Sequence, residues 1–141
     1  MNKSSIRFAA AAAFALWLAG CAATGSSQWQ QIGVLNDNIK IAVDKTSIQK
    51  NGALVTFRER KIISNPAKER FVNMPTHKTA FSDWEIHCSN KTYRLTALIL
   101  QDSHGQTVGN YKFTATAIRP MSVPADTVIA KEYELVCSKA V

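Results

Sequence analysis

From residue 29 onward, hydrophobic and polar residues alternate with the period of a β-strand. In NIKIAVD, Ile39, Ile41 and Val43 fall on one face with Lys40 and Ala42 opposite, the two-residue repeat of a half-buried strand. Asn36, Asp37 and Asn38 just before it are turn formers, so a first strand over about Trp29 to Val34 is expected to fold back on it as a hairpin. Asn51 and Gly52 mark the next turn, and ALVTFRERKII reads as a longer strand with Val55 and Phe57 on one side. Pro66 and Pro75 bracket SNPAKERFVNMP, which is expected to be a surface loop or a short helix. Three β-branched and aromatic stretches follow, HKTAFSDWEIHC, KTYRLTALILQD and TVGNYKFTATAI, separated by Ser89 to Lys91 and by DSHGQ. Connections this short make an antiparallel meander. After an irregular approach through Pro120, Ser122 and Pro124 the period changes: Ile129, Tyr133 and Val136 lie at i, i+4 and i+7, one face of a helix starting near Asp126. The expected fold class is therefore α+β, a single antiparallel β-sheet of about six strands with a C-terminal helix packed on one face.

Ahead of residue 29 the pattern is different. MNKSSIRF carries Lys3 and Arg7, and AAAAAFALWLAG follows without a polar residue, the layout of the charged and apolar regions of an export signal. A spanning helix needs about 20 apolar residues, and this run gives way to Thr24, Gly25, Ser26, Ser27 and Gln28, so a permanent transmembrane helix is not expected. The junction Leu18, Ala19, Gly20, Cys21 resembles the bacterial lipobox. That resemblance implies that the Cys21 thiol receives diacylglycerol and becomes the new N-terminus, a membrane anchor far firmer than one acyl chain. An ordinary signal peptide would instead leave Cys21 as a spare thiol. Ala22 rather than Asp follows the cysteine, which under the sorting rule of such lipoproteins favours the outer membrane. The expected division is 1–20 lipoprotein signal peptide, 21–28 lipidated tether and 29–141 folded α+β domain.

Charge and cysteine content sharpen this picture. The 141 residues include 17 basic and 10 acidic side chains; removing residues 1–20 takes away Lys3 and Arg7, leaving 121 residues and 15 basic side chains, a formal charge of +5. One domain of that length can bury a core with little margin. With Cys21 lipidated, Cys88 and Cys137 remain in an oxidising compartment, where a disulfide is the default and two buried free thiols the alternative. The bridge would join the end of a central strand to the last turn of the helix.

Several short motifs together resemble one family. Trp29 opens the domain, AVDKTSI spans Ala42 to Ile48, WEIHC spans Trp84 to Cys88 and is followed by KTYRL from Lys91 to Leu95, IRPMS spans Ile118 to Ser122, and the final helix closes on Cys137. With the lipobox, this is similar to the surface-adhesin protein E family of Gram-negative outer-membrane lipoproteins. The resemblance implies a small antiparallel sheet with a disulfide-linked helix, and an adhesin or binding module for host extracellular-matrix protein, on the cell surface. At one position the chain departs from the family: His87 stands where an acidic residue commonly precedes the first cysteine of the pair.

Candidate chemistry is sparse. His77, His87 and His104 have no metal-ligand spacing, and Asp83, Glu85 and His87 alternate along one strand, which reads first as a solvated polar face and only second as a zinc or acid/base site. No phosphate loop, nucleophile elbow or HExxH motif is present. Neither an enzyme nor a cofactor is expected. A basic cluster is the stronger candidate: Arg58, Arg60 and Lys61, then Lys68 and Arg70, fall within thirteen residues, and Arg58 and Arg60 share a strand face. Glu59 and Glu69 dilute the cluster, so a merely solvated face is the alternative. Its partners would be anionic, such as a sulfated glycan, an acidic matrix-protein segment or lipopolysaccharide phosphate. Nucleic acid is not expected, because exposed aromatic residues do not interleave with the charges. Phe57, Phe81, Trp84, Tyr93, Tyr111 and Phe113 are expected in the core. Beside adhesion stand two other readings: an inward-facing envelope protein with a structural or assembly role, and an inhibitor of host lysozyme, which the positive body would repel at long range.

Overall fold

A computed structural model describes residues 27–137; the signal peptide, Cys21 and most of the tether lie outside the described residues. The described chain forms β1 (Trp29–Leu35), β2 (Ile39–Asn51), β3 (Leu54–Ile63), a 3-10 turn at Pro66–Lys68, β4 (Thr79–His87), β5 (Thr92–Gln101), β6 (Thr107–Lys112), β7 (Met121–Ser122) and α1 (Val128–Cys137). The six longer strands pair in chain order, all antiparallel, and the two-residue β7 pairs with β5. The meander follows from the turn residues: Asn36, Asp37 and Lys91 adopt positive φ, as does Gly52 at +62°, and Asn, Asp and Gly enter that region most readily.

Two boundaries differ from the pattern-based expectation. β2 continues through DKTSIQK to Asn51, with its register against β3 shifting between Asp44 and Gln49. Asp44 organises the irregularity, accepting hydrogen bonds from the Thr46 amide at 2.9 Å, the Thr46 hydroxyl at 2.6 Å and Gln28 Nε2 at 2.7 Å. A strand can therefore bulge and resume without a turn residue. β6, by contrast, ends at Lys112, because Thr114 turns the chain: the amides of Ala117 and Ile118 both donate to its carbonyl.

The core lies between one sheet face and α1. Val43, Val55, Phe57 and Ile86 from the sheet meet Tyr133 and Val136 from the helix, all nearly or fully buried, and burial of each such side chain stabilises the fold by about 1.5–3 kcal/mol. Ile129 packs against this cluster, so the expected helix face is the observed one. Cys88 and Cys137 form a disulfide, Cα to Cα 5.7 Å, across a sequence separation of 49, binding the helix end to the end of β4. Among the described residues no helix is long and apolar enough to cross a membrane.

Ala42, expected opposite the buried face of β2, is itself 5% exposed. Its cross-strand partner Arg60 lays its guanidinium over the Trp29 ring at 4.2 Å, and Trp29 stands 6.1 Å from Phe81, so the sheet carries a small cover on its second face. Tyr111 is not core: it is on the outermost strand, exposed, and stacked on Phe113 at 6.4 Å.

Candidate functional site

The five basic residues of the sequence cluster do not form one patch. Arg58 and Arg60 share a face of β3, as the two-residue period requires, and Lys61 points to the opposite, helix-covered side. Arg58 makes a two-pronged ion pair with Asp83, Nε to Oδ1 2.7 Å and Nη2 to Oδ2 2.9 Å, and the hydrogen bond to Asp83 raises its pKa further. Arg60 is committed to Trp29. Lys61 sits 3.3 Å from Glu59. Lys68 and Arg70, both exposed, ride on the segment between β3 and β4, where Arg70 lines a pocket together with Lys61.

The polar row on β4 is likewise occupied. Asp83 holds Arg58, Glu85 holds Arg94 at 3.1 Å, and His87 Nδ1 accepts from the Asn90 amide at 3.3 Å. His77 is in a different place, buried in the β3–β4 segment against the Phe71 ring at 4.6 Å, with Nδ1 2.9 Å from the Pro75 carbonyl. Among the described residues no three His, Cys, Asp or Glu side chains converge as a metal site would require.

Lys68 and Arg70 gain a definite setting from Asn38. Pro66 and Pro75 keep residues 64–78 out of the sheet, and the buried Asn38 side chain holds this segment down. Its Nδ2 donates to the Asn65 carbonyl at 3.0 Å and to Glu69 Oε1 at 2.6 Å, and its Oδ1 accepts from the Asn65 amide at 2.8 Å. Beyond that anchor the segment presents Lys68, Arg70, Val72 at 65% exposure and Met74. Val34 and Leu35, also exposed, come to the same end of the sheet from the β1–β2 hairpin. The result is a surface of cations beside unpaired apolar side chains, chemistry suited to holding a macromolecule.

A second feature has a pair of acids at its floor. Beneath the first turns of α1 a cleft of about 520 Å³ is lined by Ile41, Glu59, Lys61, Trp84, Tyr93 and Glu132, among others. Glu59 is 2% exposed and Glu132 1%. Burial first, then the Glu59 charge and a hydrogen bond to Glu59, push Glu132 up to about 10, while Lys61 pulls the other way. Glu132 thus keeps its proton at neutral pH and donates it to Glu59, whose Oε1 also accepts from Trp84 Nε1 at 3.2 Å. The sequence held the signal. Glu132 falls at i+3 from Ile129 on the apolar helix face, and Glu59 continues the buried alternation of Val55 and Phe57; charges at such positions are almost never fully buried unless paired.

Comparison with known proteins bears on the whole domain. The family model described as surface-adhesin protein E matches residues 29–138. The structure of Haemophilus influenzae protein E is similar with a TM-score of 0.56 and 14% identity, covering 79% of this chain and 85% of that one. Its crystal form II gives a TM-score of 0.55 and 13% identity over 79% and 88%. At these identities the likeness is one of fold. No curated protein sequence matches significantly.

Proposed function

The chain belongs to the surface-adhesin protein E family, and from that premise we propose that it is an outer-membrane lipoprotein, anchored through Cys21, that binds host extracellular-matrix protein or anionic glycan at the cell surface. The observation that carries this reading is the exposed end of the sheet where Lys68 and Arg70 stand beside Val72 and Met74. The direction of the chain supports it. Gln28 is fastened to Asp44, and β1 runs from there to the hairpin at Asn36 to Asn38, so the segment carrying Lys68 and Arg70 lies at the end of β1 away from the tether. The seven Cα-to-Cα steps from Cys21 to Gln28 reach at most about 25 Å, which holds the domain close to the membrane with its cationic end outward. Exposed cations attract acidic segments and sulfates over a range set by salt, and the neighbouring apolar side chains supply a short-range contact that salt does not screen.

The test has two parts. Surface protease or antibody is applied to intact and to permeabilised cells; cleavage or labelling of intact cells supports outward display, and protection until permeabilisation identifies an inward-facing envelope protein instead. Immobilised matrix proteins and heparin are then titrated with wild type, Lys68→Ala with Arg70→Ala, and Arg58→Ala. Binding is expected to fall at least tenfold in the double variant, to weaken with salt, and to persist in Arg58→Ala, whose charge is already paired with Asp83. Equal binding by all three would remove this surface from the proposal.

A further inference from the structure

The geometry points to the cleft beneath α1 as a binding site for a small amphiphilic amine, its ammonium group received by Glu59 and Glu132 and its apolar body by Trp84, Tyr93 and Ile129. The volume of about 520 Å³ lies within the range of small-molecule pockets, roughly 300–1,000 Å³, and the mixture of apolar walls with a few convergent polar groups is typical of them. Trp84 and Tyr93 stand with ring centroids 5.5 Å apart and both line the cleft, adding aromatic surface to its apolar wall.

The polar floor is incomplete in a way that specifies the ligand. Glu132 is 1% exposed and its Oε1 has no hydrogen-bond partner among the described residues. Glu59 accepts from Trp84 and lies beside Lys61. Two carboxyl groups therefore face one ammonium, and the second negative charge is absent only because Glu132 retains its proton. A ligand ammonium supplies both missing items, a donor for Oε1 and a charge to balance a second carboxylate. The remaining charged groups lining the cleft, Asp126 ahead of the helix and Lys131 on it, are exposed at its mouth and of opposite sign. An alcohol of the same shape could satisfy Oε1 and would leave the charge unbalanced.

Proton accounting follows from this exchange. The ammonium enters with its own proton, the Glu132 carboxyl releases one to solvent, and the net charge of the cleft is unchanged. Affinity is expected to rise about tenfold per pH unit between about pH 6 and pH 8, the slope of one proton released. The cleft adjoins the host-binding surface at Leu35, which lines it, but the two readings rest on different charged side chains, so the failure of either leaves the other standing.

The experiment is titration calorimetry of the whole chain in lipid nanodiscs, with empty nanodiscs as blank, using n-hexylammonium and uncharged n-hexanol in two buffers of different ionisation enthalpy. Saturable binding of hexylammonium with release of close to one proton, at least tenfold preference over hexanol, and loss of proton release in Glu132→Gln support the site. No heat above the blank, equal binding of hexanol, or unchanged proton release in Glu132→Gln overturns it. Should Glu132→Gln fail to fold, the preference for hexylammonium over hexanol and its pH slope in the wild type decide alone.

Discussion

The Tyr133 hydroxyl donates a 2.5 Å hydrogen bond to the backbone carbonyl of Cys88, the residue whose sulfur is bonded to Cys137 one turn further along the same helix. Helix and sheet are thus joined twice at one junction, once covalently and once by a buried polar contact. Tyr133→Phe keeps the ring in the core and is expected to cost about 1 kcal/mol. Replacing both cysteines by serine frees a loop of 49 residues and is expected to cost about 4 kcal/mol. Because the two ties hold the same junction, their losses should couple by about 0.5 kcal/mol or more in a double-mutant cycle from denaturant titrations. Strict additivity would show that they act on separate parts of the fold.

Glu132 gives stability a pH dependence whose sign is fixed by burial. Its pKa is raised from 4.5 to about 10 by burial first and then by Glu59, so the folded chain holds a proton that the unfolded chain has lost. The stability linked to that proton is complete below about pH 4.5 and is lost as pH rises towards 10. Glutamine at this position carries no such linkage and can still donate to Glu59. Glu132→Gln should therefore gain on the wild type by up to a few kcal/mol as pH rises from about 5 to about 9, measured as a growing gap in melting temperature. A gap that stays constant across that range would contradict a protonated Glu132.

Much of this fold is legible because each turn carries its own chemistry: Asn36 to Asn38, Asn51 with Gly52, and the DSHGQ segment cut the strands where they end, and the helix declares itself through Ile129, Tyr133 and Val136. What pattern alone misses is non-local. The continuation of β2 depends on Asp44 gathering hydrogen bonds from Thr46 and Gln28, which no alternation shows. The two-residue period separates Lys61 from Arg58 and Arg60, yet proximity in sequence makes them read as one cluster. Glu59 and Glu132 each look like a single polar interruption of an apolar face. Their meeting becomes visible only when α1 lies across β3.

Asn38 is expected to act on the candidate binding surface without touching a ligand. It holds residues 64–78 through Asn65 and Glu69, and Asn38→Ala removes all three side-chain hydrogen bonds at a cost of about 1–3 kcal/mol. Hydrogen-exchange mass spectrometry should show faster exchange over 64–78 and unchanged protection in β4 and β5. Matrix-protein binding should weaken by several-fold as Lys68 and Arg70 lose their fixed setting. Uniform loss of protection across the sheet would assign Asn38 to the core instead.

Arg60 separates the contribution of its charge from that of its stem. Its guanidinium lies 4.2 Å from the Trp29 ring, while its Nε is buried with no hydrogen-bond partner among the described residues. The ring contact favours the cation by about 0.5–1 kcal/mol, and the unpartnered donor opposes it by about 1–3 kcal/mol. The aliphatic stem covers Ala42 in either case. Arg60→Met, which keeps a stem and removes both polar effects, is expected to be neutral or slightly stabilising in thermal denaturation. Arg60→Ala uncovers Trp29 and Ala42 and should cost about 1–2 kcal/mol. If methionine and alanine destabilise equally, the charge over Trp29 outweighs the stranded Nε, and this face of the sheet is held by the cation rather than by the chain that carries it.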